Sequence, residues 1–325
     1  MEHFGIKDYQ KVNKSFRRRL VYHVGKESGF FVELNYMINA MLYCLANGYR
    51  FQLYSEDANF GTDKGWTEYF LPFCEEVHEP FHHKYNLRRQ SIWRRILAHW
   101  LAFKTYGEYV RLSQDVAHEP DKFYHIPALG ISCSYTEAYA MLARIIWQPQ
   151  PEVQQKMKDA RHRLSLPEIY SGVQIWEGNN ATGSRLISGW QIIQALHPQD
   201  GECIFALADN YQQLEIVRNE FQKLRIVSLC QPHETGYHHQ AFEHLSPQEK
   251  KESIIRLLIS VDILLQCCAF VGTITSGPSV FLLKVRADDP CVTAIDCPQD
   301  MLPDCLTLNI DERAAISRRF VVRLT

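Results

Sequence analysis

Short apolar runs alternate with amphipathic segments along the chain. Near the start, residues 20–24 form an apolar run of strand length, and from Phe31 to Asn47 apolar side chains recur at helical spacing. Gly48 is suited to ending that helix, and residues 51–54 then resume the strand pattern. This order predicts a βαβ unit, whose two parallel strands are joined by a right-handed crossover.

The second half of the chain repeats this alternation with clearer boundaries. Ser246 and Glu249 form a capping-box pair, and Pro247 suits the first position of the helix that they open. Regular alternation of strands and helices predicts an α/β protein with a parallel sheet. The predicted strands are residues 173–175, 203–207, 224–228 and 269–272, and the predicted helices are residues 186–196, residues 211–221, residues 247 to about 267, and a last one that ends at Val285.

A pair of prolines marks the boundary between the two halves. The helical pattern of residues 136–147 is broken by Gln148-Pro149-Gln150-Pro151, and Pro151 is placed to start the next helix, which continues to residue 164. We therefore predict an N-terminal α/β domain of residues 1–150, a C-terminal α/β domain of residues 151–300, and a tail of residues 301–325.

Polar loops follow three of the predicted strands in the second half. They are residues 177–185, Asp209 with Asn210, and residues 273–279. In an open parallel sheet such loops share one edge and can line one crevice, which favours a nucleotide-type site. The first loop also opens a helix, whose N-terminal N–H groups suit a phosphate. Taken alone, that loop is more simply an ordinary βα turn, and the pattern does not say which nucleotide binds.

Composition and charge narrow the classes of partner. The 325 residues are 46% apolar and 22% charged, as in globular proteins, and the net charge of −2 gives no electrostatic case for nucleic acid or an anionic membrane. The longest apolar run, residues 254–271, carries Arg256 and Asp262, so we predict a buried helix and no membrane span. No secretion signal is visible, and the ten cysteines lack C-x-x-C spacing. We therefore predict reduced thiols and a cytoplasmic location.

Several short motifs occur in an order that is familiar from one enzyme family. Residues 25–29 (GKESG) form a loop after the first predicted strand, and residues 65–70 (GWTEYF) follow later. Asp209 comes just after a strand, Gly236-Tyr237-His238 lies in a long loop, and residues 272–276 (GTITS) form a hydroxyl-rich turn. Together with the proline-marked connector, these blocks resemble the α-1,6-fucosyltransferases and, more distantly, the protein O-fucosyltransferases, over about residues 20–284.

The resemblance implies both a fold and a reaction. The fold is GT-B, in which two Rossmann-like domains face a cleft. Residues 1–150 would hold the acceptor and part of the donor, residues 151–300 would hold the nucleotide sugar, and residues 301–325 would cross back to the first domain. The reaction is the inverting transfer of a sugar, fucose from GDP-fucose, to a hydroxyl of a glycan or other acceptor. No D-x-D metal motif is evident, so we predict neither a metal nor another cofactor.

The family's donor contacts correspond to particular residues of this sequence. Lys26 falls on the family's lysine, Asp209 falls on the aspartate that holds the guanine base, and residues 273–276 fall on the turn that hydrogen-bonds the diphosphate. Glu33 stands where a glutamine is usual, and Phe60 where the family has a tyrosine. By resemblance, the donor-binding residues are Lys26, Asp209, His238, Thr273, Thr275 and Ser276.

The loop after residues 173–175 departs from the family's pattern of His-x-Arg-Arg-x-Asp-Lys. Gln174 stands at the histidine position, and Trp176 and Glu177 stand at the two arginines. Those arginines neutralise the departing diphosphate, so their loss costs several kcal/mol in the family's reaction. Asn179 and Asn180 stand at the aspartate and lysine positions. The predicted substrate-binding residues of this altered loop are Gln174, Trp176, Asn179 and Asn180.

Three interpretations stay open. In the first, the chain is an active glycosyltransferase in which Arg185 and Lys26 replace the arginine pair and Glu177 is the general base for the acceptor hydroxyl. Trp176 then stacks on a base or sugar face, although a tryptophan at such a position is more commonly part of the core. In the second, Glu177 repels the diphosphate, and the chain is an inactive nucleotide- or glycan-binding relative. In the third, it is an unrelated α/β enzyme that shares the Rossmann pattern.

Overall fold

The chain divides into two compact units. A computed structural model describes residues 4–25, 29–84, 86, 124–176 and 187–324. The first unit is Met1–Pro151 with Leu245–Lys251, and the second is Glu152–His244 with Glu252–Thr325. Each unit contains a parallel sheet with helices between its strands, which confirms the predicted α/β class. The arrangement of two domains facing a cleft, and the division of acceptor and donor roles between them, stay predictions.

The first unit is built on the predicted βαβ motif. Its first two strands pair in parallel, and the long helix that connects them ends at Gly48, which takes the left-handed conformation with φ of 68°. The motif is extended by a third, parallel strand, in the order β1-β2-β3. The elements are α1 (Ile6–Ser15), β1 (Arg18–His23), α2 (Phe30–Asn47), β2 (Tyr49–Tyr54), β3 (Glu75–Glu76), α3 (Pro80–Lys84), β4 (Tyr124–Ile126), β5 (Ile131–Cys133) and α4 (Tyr135–Ile146).

Buried aromatic side chains form much of the first unit's core. Trp66 and Phe70, from the predicted GWTEYF block, stack with ring centroids 4.4 Å apart, and Phe30 at the start of α2 stacks on both. The Tyr135 hydroxyl on α4 donates to the buried Asn39 amide oxygen on α2 at 2.8 Å. This block is therefore a packing element of the first unit.

The second unit carries a five-stranded parallel sheet in the order β10-β9-β6-β7-β8. The strands are β6 (Ser171–Ile175), β7 (Cys203–Ala208), β8 (Arg225–Val227), β9 (Ala269–Gly272) and β10 (Val292–Ala294). The helices from Pro151 onward are α5 (Pro151–Leu164), α6 (Gly189–Gln194), α7 (Tyr211–Glu220), α8 (His239–Glu243), α9 (Pro247–Leu265), α10 (Gly277–Val285), α11 (Leu302–Thr307) and α12 (Ile310–Leu324).

The order of this sheet reverses between β6 and β9. The chain runs outward from β6 through β7 to β8, returns to β9 on the other side of β6, and continues to β10. In open parallel sheets a ligand crevice lies outside the carboxyl ends of the strands at such a reversal. The end of β6 near Gln174 and the end of β9 near Gly272 therefore mark where a site is expected.

Close packing at this reversal depends on two glycines. A Cβ on Gly272 would lie 2.4 Å from Ser279 Oγ, and a Cβ on Gly189 would lie 2.5 Å from a methyl carbon of Val217. Separations this short are not found for real Cβ atoms, so any larger residue would push its neighbours away. The absence of side chains at these positions lets Ser279 approach the end of β9 and lets α6 pack closely on its neighbours.

The structure also revises several predicted boundaries. The helix predicted over residues 186–196 spans only Gly189–Gln194, because the Ser188 hydroxyl accepts a hydrogen bond from Gln191 N and caps it there. The last helix, α12, belongs to the second unit, where Arg313 Nε donates to Ile274 O at 2.8 Å. The predicted return of the tail to the first domain stays a prediction. Within the described ranges, no helix has the length and apolar character needed to cross a bilayer.

Candidate functional site

A hydroxyl-rich turn lies at the carboxyl end of β9. Ser276 is the N-cap residue of α10, and its carbonyl accepts a hydrogen bond from Val280 N at 2.9 Å. The Ser276 side chain is buried but makes no capping bond, whereas Thr273 and Thr275 are partly exposed and lie 3.5 Å apart through their hydroxyls. Hydroxyls and a helix N-terminus at a strand end suit the oxygens of a phosphate.

Both backbone groups of Ile274 hold this turn in place. Ile274 N donates to Asp296 Oδ1 at 2.8 Å, and Ile274 O accepts from Arg313 Nε at 2.8 Å. Asp296 is fully buried just beyond β10, and burial raises its pKa to about 6. The hydrogen bond from Ile274 N opposes that rise. The turn is thus anchored by Asp296, just beyond β10, and by Arg313 on α12, two contacts that were not predicted from the sequence.

A buried hydrogen bond joins α10 to β6 at the reversal. Ser279 Oγ, on α10, donates to Gln174 Oε1, on β6, and the two residues are 0% and 5% exposed. The amide oxygen of Gln174 is therefore engaged in the interior of the second unit. Its predicted contact with substrate stays a prediction. Trp176, two residues further, is partly buried beyond the end of β6.

Asp209 is tied to the loop that contains His238. Its side-chain Oδ2 accepts from Tyr237 N at 3.0 Å, and its backbone oxygen accepts from Gly236 N at 2.8 Å. Gly236 has φ of 109°, which only glycine adopts without strain. The helix N-cap here is Asn210, whose side chain accepts from Gln212 N at 2.9 Å, and not Asp209. The structure thus brings together two predicted donor-binding segments, and His238 is exposed at the start of α8.

Five of the predicted site residues lie outside the described residues, so their roles stay predictions. Within the described ranges, no group of three or more His, Cys, Asp and Glu side chains is arranged to hold a metal ion. The predicted independence from metal also stays a prediction. The residues outside the described ranges are Lys26, Glu177, Asn179, Asn180 and Arg185.

A polar cluster in the first unit was not predicted from the sequence. It lies at the carboxyl edge of the β1-β2-β3 sheet, where His23 Nε2 is 3.0 Å from His82 Nδ1. His83 Nδ1 lies 2.7 Å from Asp57 Oδ1, and Asn86 donates to Asp57 Oδ2 at 3.0 Å. Burial lowers the pKa of His82, and the neighbouring carboxylate of Glu79 opposes that shift. His82 and His83 follow β3, a strand of only two residues, which has no recognisable sequence pattern.

Comparison with known proteins identifies the fold. No family model and no curated protein matches the sequence significantly. The NodZ α-1,6-fucosyltransferase structure soaked with GDP-fucose matches 82% of this chain and 92% of its own, with a TM-score of 0.52 at 13% identity. The fucosyltransferase NodZ from Bradyrhizobium matches 86% of this chain and 95% of its own, with a TM-score of 0.51 at 14% identity. The fold is therefore similar to that of fucosyltransferases, which confirms the resemblance predicted from the motifs at the level of fold.

Proposed function

We propose that the chain is a glycosyltransferase that binds a nucleotide-diphosphate sugar at the carboxyl edge of the second unit's sheet. The observation that carries the proposal is the position of the turn at residues 273–276, which lies where the strand order reverses and is anchored through Ile274. A fold similar to that of structures named as fucosyltransferases supports the same class. The donor proposed is GDP-fucose, and the location proposed is cytoplasmic.

The proposed donor pose uses both sides of β6. Asp209 faces the guanine base, because a carboxylate is the natural acceptor for the two N–H groups on its edge and provides about four acceptor positions. Thr273, Thr275 and Ser276 face the diphosphate, together with the N–H groups at the start of α10. The hydrogen bond from Tyr237 N to the Asp209 side chain supports this pose, because it holds the segment that contains His238 beside the carboxyl end of β7.

The proposed reaction is a single inverting displacement. The acceptor hydroxyl oxygen attacks the anomeric carbon of the sugar as the bond from that carbon to the diphosphate oxygen breaks. Glu177 takes the hydroxyl proton, and GDP leaves with the negative charge. Arg185 and Lys26 stabilise that charge in place of the family's arginine pair, and no metal takes part. A glycan or another hydroxyl compound is the acceptor.

A second function is supported by the altered loop after β6. Gln174 stands at the family's histidine position, and its amide oxygen accepts a hydrogen bond from Ser279. Trp176 and Glu177 stand at the positions of the two arginines. A relative that binds a nucleotide or glycan without transferring sugar would show this loss of positive charge. Binding without transfer distinguishes this second function from the first.

The experiment that tests the proposal is a calorimetric titration of the full chain with GDP, UDP, CDP and dTDP. It is followed by hydrolysis and transfer assays with the matching sugar nucleotides, with and without EDTA. The proposal expects GDP to bind most tightly and GDP-fucose to be turned over in the presence of EDTA. Tight GDP binding with no hydrolysis or transfer would select the inactive relative. Absence of binding by all four nucleotides would reject both the glycosyltransferase and a nucleotide-binding relative.

A further inference from the structure

Two buried cysteines lie in contact close to the anchored turn. Cys297 Sγ and Cys305 Sγ are 3.0 Å apart, and the two residues are 3% and 1% exposed. Cys297 directly follows Asp296, the residue that accepts the hydrogen bond from Ile274 N. Neither cysteine has a part in the proposed sugar transfer, so the pair is a separate feature of the second unit.

The two thiols are not equivalent. The S–H group of Cys297 donates to Cys305 Sγ, and this hydrogen bond lowers the pKa of the Cys305 thiol while it raises the pKa of the Cys297 thiol. A thiolate is the nucleophilic form of cysteine. The hydrogen bond favours the thiolate of Cys305 as the attacking sulfur, and Cys297 is the neighbour in contact with it.

The geometry requires little movement to join the two sulfurs. A disulfide bond is about 2.05 Å long, so the sulfurs need to approach by roughly 1 Å. The two cysteines are eight positions apart, and Cys305 lies on α11, a short helix of six residues.

We propose that Cys297 and Cys305 are a reversible oxidation site, at which a hydroperoxide such as hydrogen peroxide forms an intramolecular disulfide. The Cys305 thiolate attacks one peroxide oxygen, the O–O bond breaks, and hydroxide leaves, which gives a sulfenic acid. Cys297 then attacks the Cys305 sulfur, the S–S bond forms as the S–O bond breaks, and the thiol proton leaves with the hydroxide as water. In total, two thiols and one hydrogen peroxide give one disulfide and two waters, and a small thiol reverses the change.

The sequence around the pair permits a direct test by peptide mapping. Cleavage before aspartate separates the three nearby cysteines into residues 289–295, 296–299 and 304–310, which carry Cys291, Cys297 and Cys305. The full chain is treated with hydrogen peroxide, unfolded, blocked with N-ethylmaleimide and then cleaved. The expected product is a linked pair of peptides, 296–299 with 304–310, that lacks two hydrogens and two blocking groups and separates on reduction. The exposed Cys291 is the internal control and stays out of that pair.

Two variants complete the test. Cys291→Ser leaves the linked pair unchanged, whereas Cys305→Ser abolishes it and leaves Cys297 open to N-ethylmaleimide after unfolding. Cys305→Ser changes a buried position and can impair folding. The presence or absence of the linked peptides in the unaltered chain is therefore sufficient to test the proposal. Recovery of peptides 296–299 and 304–310 as separate species, blocked or oxidised further at each sulfur, would overturn the proposal. This outcome is independent of whether the chain binds a nucleotide.

Discussion

Ser279 donates a hydrogen bond to the side-chain oxygen of Gln174, and both residues are buried in the second unit. The bond joins α10 to β6 across the point where the strand order reverses. Because the proposed diphosphate turn leads directly into α10, this contact fixes the start of that helix relative to β6. The side-chain oxygen of Gln174 therefore has a partner inside the second unit, and the predicted contact of Gln174 with substrate stays a prediction.

Removal of the Ser279 hydroxyl should destabilise the second unit. In Ser279→Ala the buried amide oxygen of Gln174 loses its donor, so we expect the free energy of unfolding to fall by about 1–3 kcal/mol in urea titrations. The double variant Gln174→Met with Ser279→Ala replaces both partners by apolar groups and should lose less than the sum of the single changes. Strictly additive losses would show that the hydrogen bond does not stabilise the fold.

The buried Asp296 carboxyl should make stability depend on pH. Its pKa is raised from 3.8 to about 6 in the folded chain, so between these values the native state holds a proton that the unfolded state has lost. The free energy of unfolding therefore decreases as the pH rises between these two values, and this carboxyl makes no further change to it at higher pH. The shift corresponds to a loss of roughly 3 kcal/mol by pH 7.5.

The Asp296→Asn variant removes this titration. Asparagine stays neutral, and its side-chain oxygen still accepts from Ile274 N. The free energy of unfolding of the variant, relative to that of the parent, should therefore increase by roughly 3 kcal/mol from pH 4 to pH 7.5. Urea unfolding at several pH values gives that difference directly. The exposed Asp300→Asn is the control and should follow the parent throughout. A constant difference between Asp296→Asn and the parent would contradict the assignment.

Glu177 distinguishes an active enzyme from an inactive relative. If Glu177 is the general base, Glu177→Gln should reduce turnover by about 100-fold or more while the affinity for the nucleotide stays the same. If Glu177 instead repels the diphosphate, the variant should bind GDP more tightly, with no transfer by either protein. Turnover rates and calorimetric affinities measured on the two proteins separate these cases. Unchanged turnover in the variant would remove Glu177 from the mechanism.

Much of the second unit was predictable because its elements have strong local patterns. The strand at Ala269–Gly272 was predicted from the sequence and is confirmed. The predicted capping box of Ser246 with Glu249, which lies in the Leu245–Lys251 segment of the first unit and opens α9, is confirmed as well. The convergence of the Asp209 and Thr273 loops at one sheet edge also follows from the parallel order, since every strand of such a sheet ends on the same side.

Other features depend on contacts between distant parts of the chain. The strand Val292–Ala294 has only three residues and forms because β9 is beside it, so neither it nor Asp296 was recognised. The hydrogen bond between Ser279 and Gln174 spans 105 positions, and the contact of Arg313 with Ile274 spans 39. No local pattern in the sequence encodes such pairs, because the fold alone brings them together.

The most direct test of the proposed donor site is the GDP affinity of Asp209→Asn. Asparagine can still accept from Tyr237 N, so the loop is retained, but it cannot accept both N–H groups of guanine as a carboxylate does. The matched control is Asp200→Asn, since Asp200 is exposed in the loop before the same strand and pairs with Lys223 at 2.7 Å. In calorimetric titrations we expect GDP to bind Asp209→Asn about 10- to 100-fold more weakly than the parent, with the control unchanged. If Asp209→Asn binds GDP as tightly as the parent does, Asp209 does not hold the base and the proposed site is wrong.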